Sequence, residues 1–229
     1  MSIDVVTDFQ KLINSNTEKS IKVLKEIFQK VDEKNSFYKE INKYYTGIHI
    51  MFQYLDKDEK QEKLLDNILM DFCSLMNCVA LRDKKLIYFL YRNIIECILR
   101  YISKDYTSKD LEKLFLHINN ADDTLAKNIL EKYKAQIKYI YTEACRYIHA
   151  DISKMPLDVI NMGVYYEHTK NDSLSQELKY FKELSILIIS IIRAKYVANY
   201  NNLKPNSKAY ISDILPLNNR IELNSIVQK

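Results

Sequence analysis

What most constrains this chain is its lack of backbone punctuation: 229 residues hold only two glycines, Gly47 and Gly163, and three prolines, Pro156, Pro205 and Pro216. A many-stranded fold needs tight turns at short intervals, and those turns draw heavily on glycine and proline. Long helices need few of either. Apolar residues recur at three- and four-residue intervals along most of the chain, the spacing that lines one face of an α-helix. The sequence therefore predicts an all-α protein, long enough to bury a substantial core.

Residues Ser2 to Val31 carry such a stripe through Phe9, Ile13, Ile21, Leu24 and Phe28, with Asn14-Ser-Asn-Thr17 read as a break and a fresh cap. A second helix is expected from Ser36 to Leu55 and a third from Asp58 to Leu81. The charged Arg82-Asp-Lys-Lys85 reads as a loop or a change of direction before a helix over Leu86 to Ile102. Ser108 is expected to cap a short helix through Leu111, Leu114 and Phe115. Asn120 to Asp123 then open a long helix that ends near Met155-Pro156, because the residue before proline is pushed out of the α basin. Leu157 to Thr169 reads as a connector, and a final helix runs from Asn171 or Ser173 to about Asn199. Its middle, Ile186 to Ile192, is apolar on nearly every side, as expected of a central helix or one at an oligomer interface. The last two dozen residues read as an extended tail with a turn at Leu215-Pro216. Three regions follow: N-terminal helices over 1–57, a helical bundle over 58–204 and a tail over 205–229.

Several function classes are disfavoured by simple counts. Cys73, Cys78, Cys97 and Cys145 form no paired motif with one another or with His49, His117, His149 or His168, so buried free thiols are expected and no metal or other cofactor. His49, His117 and His168 have no companions in sequence and are expected to be exposed or capping. The chain begins with acidic Asp4 and Asp8 where a secretory signal would be basic. The apolar run from Leu184 to Ile192 is too short to span a bilayer, so a cytoplasmic protein with no membrane partner is expected. Abundant Lys, Asn, Ile and Tyr without Trp reflect AT-rich coding, which leaves the net charge of +4 uninformative about nucleic acid.

Two helical stretches place polar groups where apolar stripes should run. Arg92, Asn93 and Glu96 interrupt one, and Tyr141, Glu143, Arg146, Tyr147 and His149 crowd the end of the other. At 3.6 residues per turn Arg92 shares a face with Glu96, and Glu143 with Arg146 and His149. Such groups are costly on apolar segments unless partnered, so the two helices are expected to face each other across a shared polar network. The same side chains suit metal-free RNA cleavage: His149 as acid or base, Arg92 or Arg146 clamping phosphate, Glu96 or Glu143 orienting them, and Tyr141 and Tyr147 offering hydroxyls or stacking faces. A plain structural network, with Arg92 and Glu96 as an i,i+4 pair, is the competing reading.

An Arg-Asn-x-x-Glu helix, Arg92-Asn93-Ile-Ile-Glu96, followed by an aromatic-rich helix ending in Arg146-Tyr-Ile-His149, resembles the HEPN-like helical proteins of prokaryotes. The resemblance runs from about Leu64 to Tyr196. It implies an up-and-down bundle with an N-terminal helical extension, homodimerisation, and in active members metal-independent RNA cleavage by Arg and His. Abortive-infection and toxin-like members imply antiviral defence or stress response, and a cognate antitoxin or another protein partner. Two residues separate Arg146 from His149 here, a shorter interval than active members carry, so a noncatalytic module binding RNA or a protein stands beside the ribonuclease.

Overall fold

The computed structural model describes residues 3–28, 31–32, 35–55, 57–108, 110–119, 124–148 and 173–227, and among these every regular element is a helix. In chain order they are α1 (Ile3–Ile27), α2 (Ser36–Phe52), α3 (Glu59–Leu81), α4 (Lys84–Ser103), α5 (Leu111–Asn119), α6 (Thr124–Ile148), α7 (Ser175–Lys195), α8 (Val197–Asn202), α9 (Pro205–Ile214) and α10 (Leu217–Val227).

Local chemistry sets several of the boundaries. Asn35 caps α2 by accepting from the Phe37 amide at 3.0 Å. Asp58 and Gln61 form a reciprocal capping box at the start of α3, which satisfies two otherwise orphaned amides. The charged stretch after α3 is a tight reversal: Arg82 is left-handed at φ 52° and Asp83 accepts from Leu86 N at 3.0 Å to begin α4. Lys104 ends α4 in the same left-handed conformation. A chain so poor in glycine thus closes two helices with side-chain-bearing residues, at a backbone cost of about 1–2 kcal/mol each.

Four helices meet in the centre. α4 packs on α3, α6 and α7, while α7 also packs on α2, α6 and α10. Cross-helix pairs give the directions. Tyr88 meets Tyr147 and Glu96 meets Tyr141, so α4 and α6 are antiparallel; Tyr91 meets Glu177 and Ile102 meets Lys195, so α4 and α7 are parallel. The core is built from fully covered side chains such as Phe37, Ile48, Phe72, Tyr91, Leu99 and Phe181, with the Phe181 ring touching Phe37, Tyr44 and Phe72. α3 is long and apolar enough to cross a membrane by length and composition, but its Leu65, Ile68, Phe72, Leu75 and Val79 stripe faces this core. The apolar middle of α7 is likewise consumed inside the protomer, as a central helix.

Several sequence expectations change. No break interrupts α1: Thr17 Oγ1 and Ser20 Oγ donate to the carbonyls of Ile13 and Asn16, at 2.7 and 2.9 Å, so these residues satisfy themselves within the helix. Asp110, not Ser108, caps α5, accepting from the Glu112 amide at 2.9 Å. Over the described residues 205–227, the expected extended tail is corrected to two helices, α9 and α10. Pro205 occupies a first-turn position, where its missing N–H costs nothing, and Pro216 immediately precedes α10. Gly47 of α2 lets Ile214 of α9 approach where a Cβ would clash. The proposed regions 1–57, 58–204 and 205–229 share one hydrophobic core running from Ile13 to Leu223. The expectations at 120–123, at Met155-Pro156 and at the 157–169 connector, which includes Gly163, lie outside the described residues.

Candidate functional site in the seam between α4 and α6

α4 turns one stripe outward between α3 and α6. Phe89, Arg92, Asn93, Glu96 and Arg100 follow one another at helical spacing on it, all exposed or half-buried, while the residues between them are core. Glu96 is its hub. Arg92 Nε donates to Glu96 Oε1 at 2.9 Å, Arg100 Nη2 donates to Oε2 at 3.0 Å, and the Tyr141 hydroxyl of α6 donates to Oε1 at 3.0 Å. Arg100 Nε also donates to the Ser108 carbonyl at 3.0 Å, fixing the loop that leads to α5. One carboxylate therefore serves two guanidiniums and a phenol, and ties α4 to α6.

The Arg92 guanidinium carbon lies 5.4 Å from the Tyr141 ring centroid, so the ring supports the cation from one face. Burial opposes the charge on Arg92, but the Glu96 carboxylate outweighs it and raises the pKa. Burial and Glu96 together push the Tyr141 phenol up to about 12, so Tyr141 serves as a donor at neutral pH. Arg92 is held at Nε only: among the described residues, Nη1 and Nη2 meet no acceptor, and the side chain is 28% exposed.

On the α3 side, Asn93 Nδ2 donates to Asp71 Oδ2 at 2.6 Å. Burial pushes the Asp71 carboxyl up to about 6, with the Asn93 bond pulling the other way. Asp71 and Arg100 were not among the sequence candidates. Arg100 had a signal, its four-residue spacing from Glu96; Asp71 had none, because only the packing of α3 on α4 brings it to Asn93.

The remaining candidates divide. Arg146 Nη1 donates to Glu143 Oε1 at 2.6 Å, with Glu143 buried and the Arg146 side chain 53% exposed. At about 100° per residue, Arg146 lies about 140° around α6 from Tyr141. It is therefore turned away from Arg92: among the described residues the expected polar link between α4 and α6 runs through Glu96 and Tyr141, while Arg146 pairs with Glu143 on the other flank. Tyr147 stacks on Tyr88 with centroids 4.2 Å apart, which commits its ring to packing. Tyr88 in turn donates to Glu177 Oε1 at 3.3 Å, and Tyr91 donates to the Glu177 carbonyl at 2.6 Å, joining α4 to α7. His149 and His168 lie outside the described residues.

The other single residues also find places. His117 Nδ1 is 2.9 Å from Asp105 Oδ2, a companion invisible in the sequence, and the His49 ring stacks on Tyr45. Only Cys78 and Cys97 are buried; Cys145 is half-buried near Arg92 and Cys73 is exposed, because its position falls off the apolar stripe of α3. Among the described residues no group of three or more His, Cys, Asp or Glu side chains is arranged to hold a metal ion. No family model matches the chain, and neither curated proteins nor solved structures give a match.

Proposed function

We propose that this chain is a HEPN-like helical protein that binds RNA at the α4–α6 seam and cleaves it without metal, as a ribonuclease or toxin in antiviral defence or stress response. The reading rests on Arg92. A guanidinium fixed at Nε by Glu96, backed by Tyr141 and, among the described residues, without an acceptor at either terminal nitrogen is pre-organised to hold a phosphate. Glu96 and Arg100 act as positioning residues for it. In the cleavage step the 2′-hydroxyl attacks phosphorus and the bond to the 5′-oxygen breaks, leaving a cyclic phosphate and a 5′-hydroxyl. His149, whose ordinary pKa lies near neutrality, moves the proton. Arg146, on the other flank of α6, is left out of that phosphate contact. A homodimer in the cytoplasm, restrained by a cognate antitoxin or another protein partner, completes the proposal.

The noncatalytic alternative, a module binding RNA or a protein, draws support from Glu96 itself. A carboxylate already engaged by Arg92, Arg100 and Tyr141 is arranged as a strut between helices. One experiment separates the readings: RNA incubated with chelator and with wild type, His149→Ala or Arg92→Ala protein. Cleavage by wild type alone supports the ribonuclease. Absent cleavage with RNA binding lost only in Arg92→Ala supports the binding module, and equal behaviour of all three proteins removes both RNA readings. For the toxin role, induction of wild type must slow growth more than induction of His149→Ala.

A further inference from the structure

Away from the seam, α7 carries a cation that no carboxylate pairs with among the described residues. Arg193 lies in the last turn of α7 and is 6% exposed. Its Nη2 donates to Asn224 Oδ1 of α10 at 2.6 Å, and its guanidinium carbon sits 4.5 Å from the Tyr200 ring centroid. Among the described residues its Nε and Nη1 are buried with no acceptor, and no carboxylate pairs with it. Ser190, one turn earlier on the same face, buries an Oγ that also lacks a partner. Arginine does not shed its proton, so this charge must be met by something. The carbonyl end of α7 and the Tyr200 ring meet it in part.

The cover over this cluster is slight. Among its helix neighbours α10 packs chiefly on α7, burying Leu223, while Leu217 and Ile221 face solvent. Asn224 is itself at an exposed position, and a further hydrogen bond joins Asn219 to Tyr133 of α6. A neutral amide thus accepts from Arg193 at a place from which a carboxylate oxygen would neutralise it.

We propose that Arg193 and Ser190 form a cryptic oxyanion site that α10 covers at rest and uncovers when a phosphate group displaces Asn224. The group it would take is a phosphate, free or carried on a nucleic acid. This does not depend on any activity at the α4–α6 seam.

Hydrogen exchange of the amides in 217–227 tests it on the full chain, with inorganic phosphate in one arm, a short RNA oligonucleotide in a second and chloride at matched ionic strength as control. Faster exchange with phosphate identifies a free-anion site; faster exchange with the oligonucleotide alone identifies a phosphodiester site. Both responses should vanish in Arg193→Met. Asn224→Asp, at its exposed position, supplies the missing carboxylate, so it should raise the melting temperature by at least about 2 °C and also abolish the response. Exchange unchanged in both arms, an equal response in Arg193→Met, or no stabilisation by Asn224→Asp overturns the proposal.

Discussion

Arg92 and Arg193 sit on the two central helices, and the protein meets their charges in opposite ways. Around Arg92 a single carboxylate, Glu96, is shared with Arg100 and Tyr141, and part of the side chain still reaches water. Around Arg193 the described residues supply an amide, an aromatic ring and a helix end, and leave two buried nitrogens over. The first arrangement gives each guanidinium a carboxylate oxygen and ties two helices together. The second is held in place by packing against its own electrostatics. The comparison teaches that a buried arginine acts as a strut or as a stored imbalance according to whether a carboxylate lies on the opposing face.

Breaking the balanced side should cost the most. Glu96→Ala leaves Arg92 and Arg100 near each other without their shared anion, and should lose about 3 kcal/mol, the low end for a buried pair because both side chains keep some solvent. Urea unfolding measures it as a lower midpoint at unchanged slope. A loss under about 1 kcal/mol would mean that the network is decoration. Arg92→Ala should at the same time weaken RNA binding about tenfold, roughly 1.4 kcal/mol, in a direct titration at fixed salt.

Asp71 gives the next largest effect and the opposite sign. Its folded pKa of about 6 lies above the ordinary aspartate value. Between those two pH values the folded chain keeps a proton that the unfolded chain has released. Stability therefore falls as pH rises through that window and levels off above it. Asp71→Asn should flatten this dependence and stabilise the protein at pH 7 by about 2 kcal/mol, read from unfolding midpoints across the pH series. Arg193→Met sharpens the comparison from the other region: removing an unmatched buried charge should leave the chain about 1–2 kcal/mol more stable, the reverse of Glu96→Ala. Tyr141→Phe removes one hydrogen bond to Glu96 and should cost about 1 kcal/mol. Arg146→Ala removes the exposed partner of the buried Glu143 carboxylate and should cost about 0.5–1 kcal/mol.

Much of the fold was legible because helices are local. The stripes of α2, α3 and α4, and the start of α3 at Asp58, follow from residue spacing and side chains within one turn of each other. The break at Asn14 to Thr17 misled because serine and threonine can satisfy themselves inside a helix as readily as they cap one. The C-terminal helices were missed for a similar reason, since Pro205 and Pro216 read as stops when they stand at starts. In the seam, Arg92 with Glu96 was visible as an i,i+4 pair, and Tyr141 as a polar intruder on α6.

Helical character and the placement of the apolar faces follow from the residues alone, because both are settled by the identity of residues three and four apart. The sequence also determined that charged groups would lie on two core helices. Tertiary packing decided how three of those charges or their neighbours are met: Asp71 on Asn93, Tyr141 on Glu96, Arg193 beneath Asn224. Those pairings join residues 22, 45 and 31 positions apart. No local pattern carries such information, because it depends on the order and rotation in which the finished helices pack.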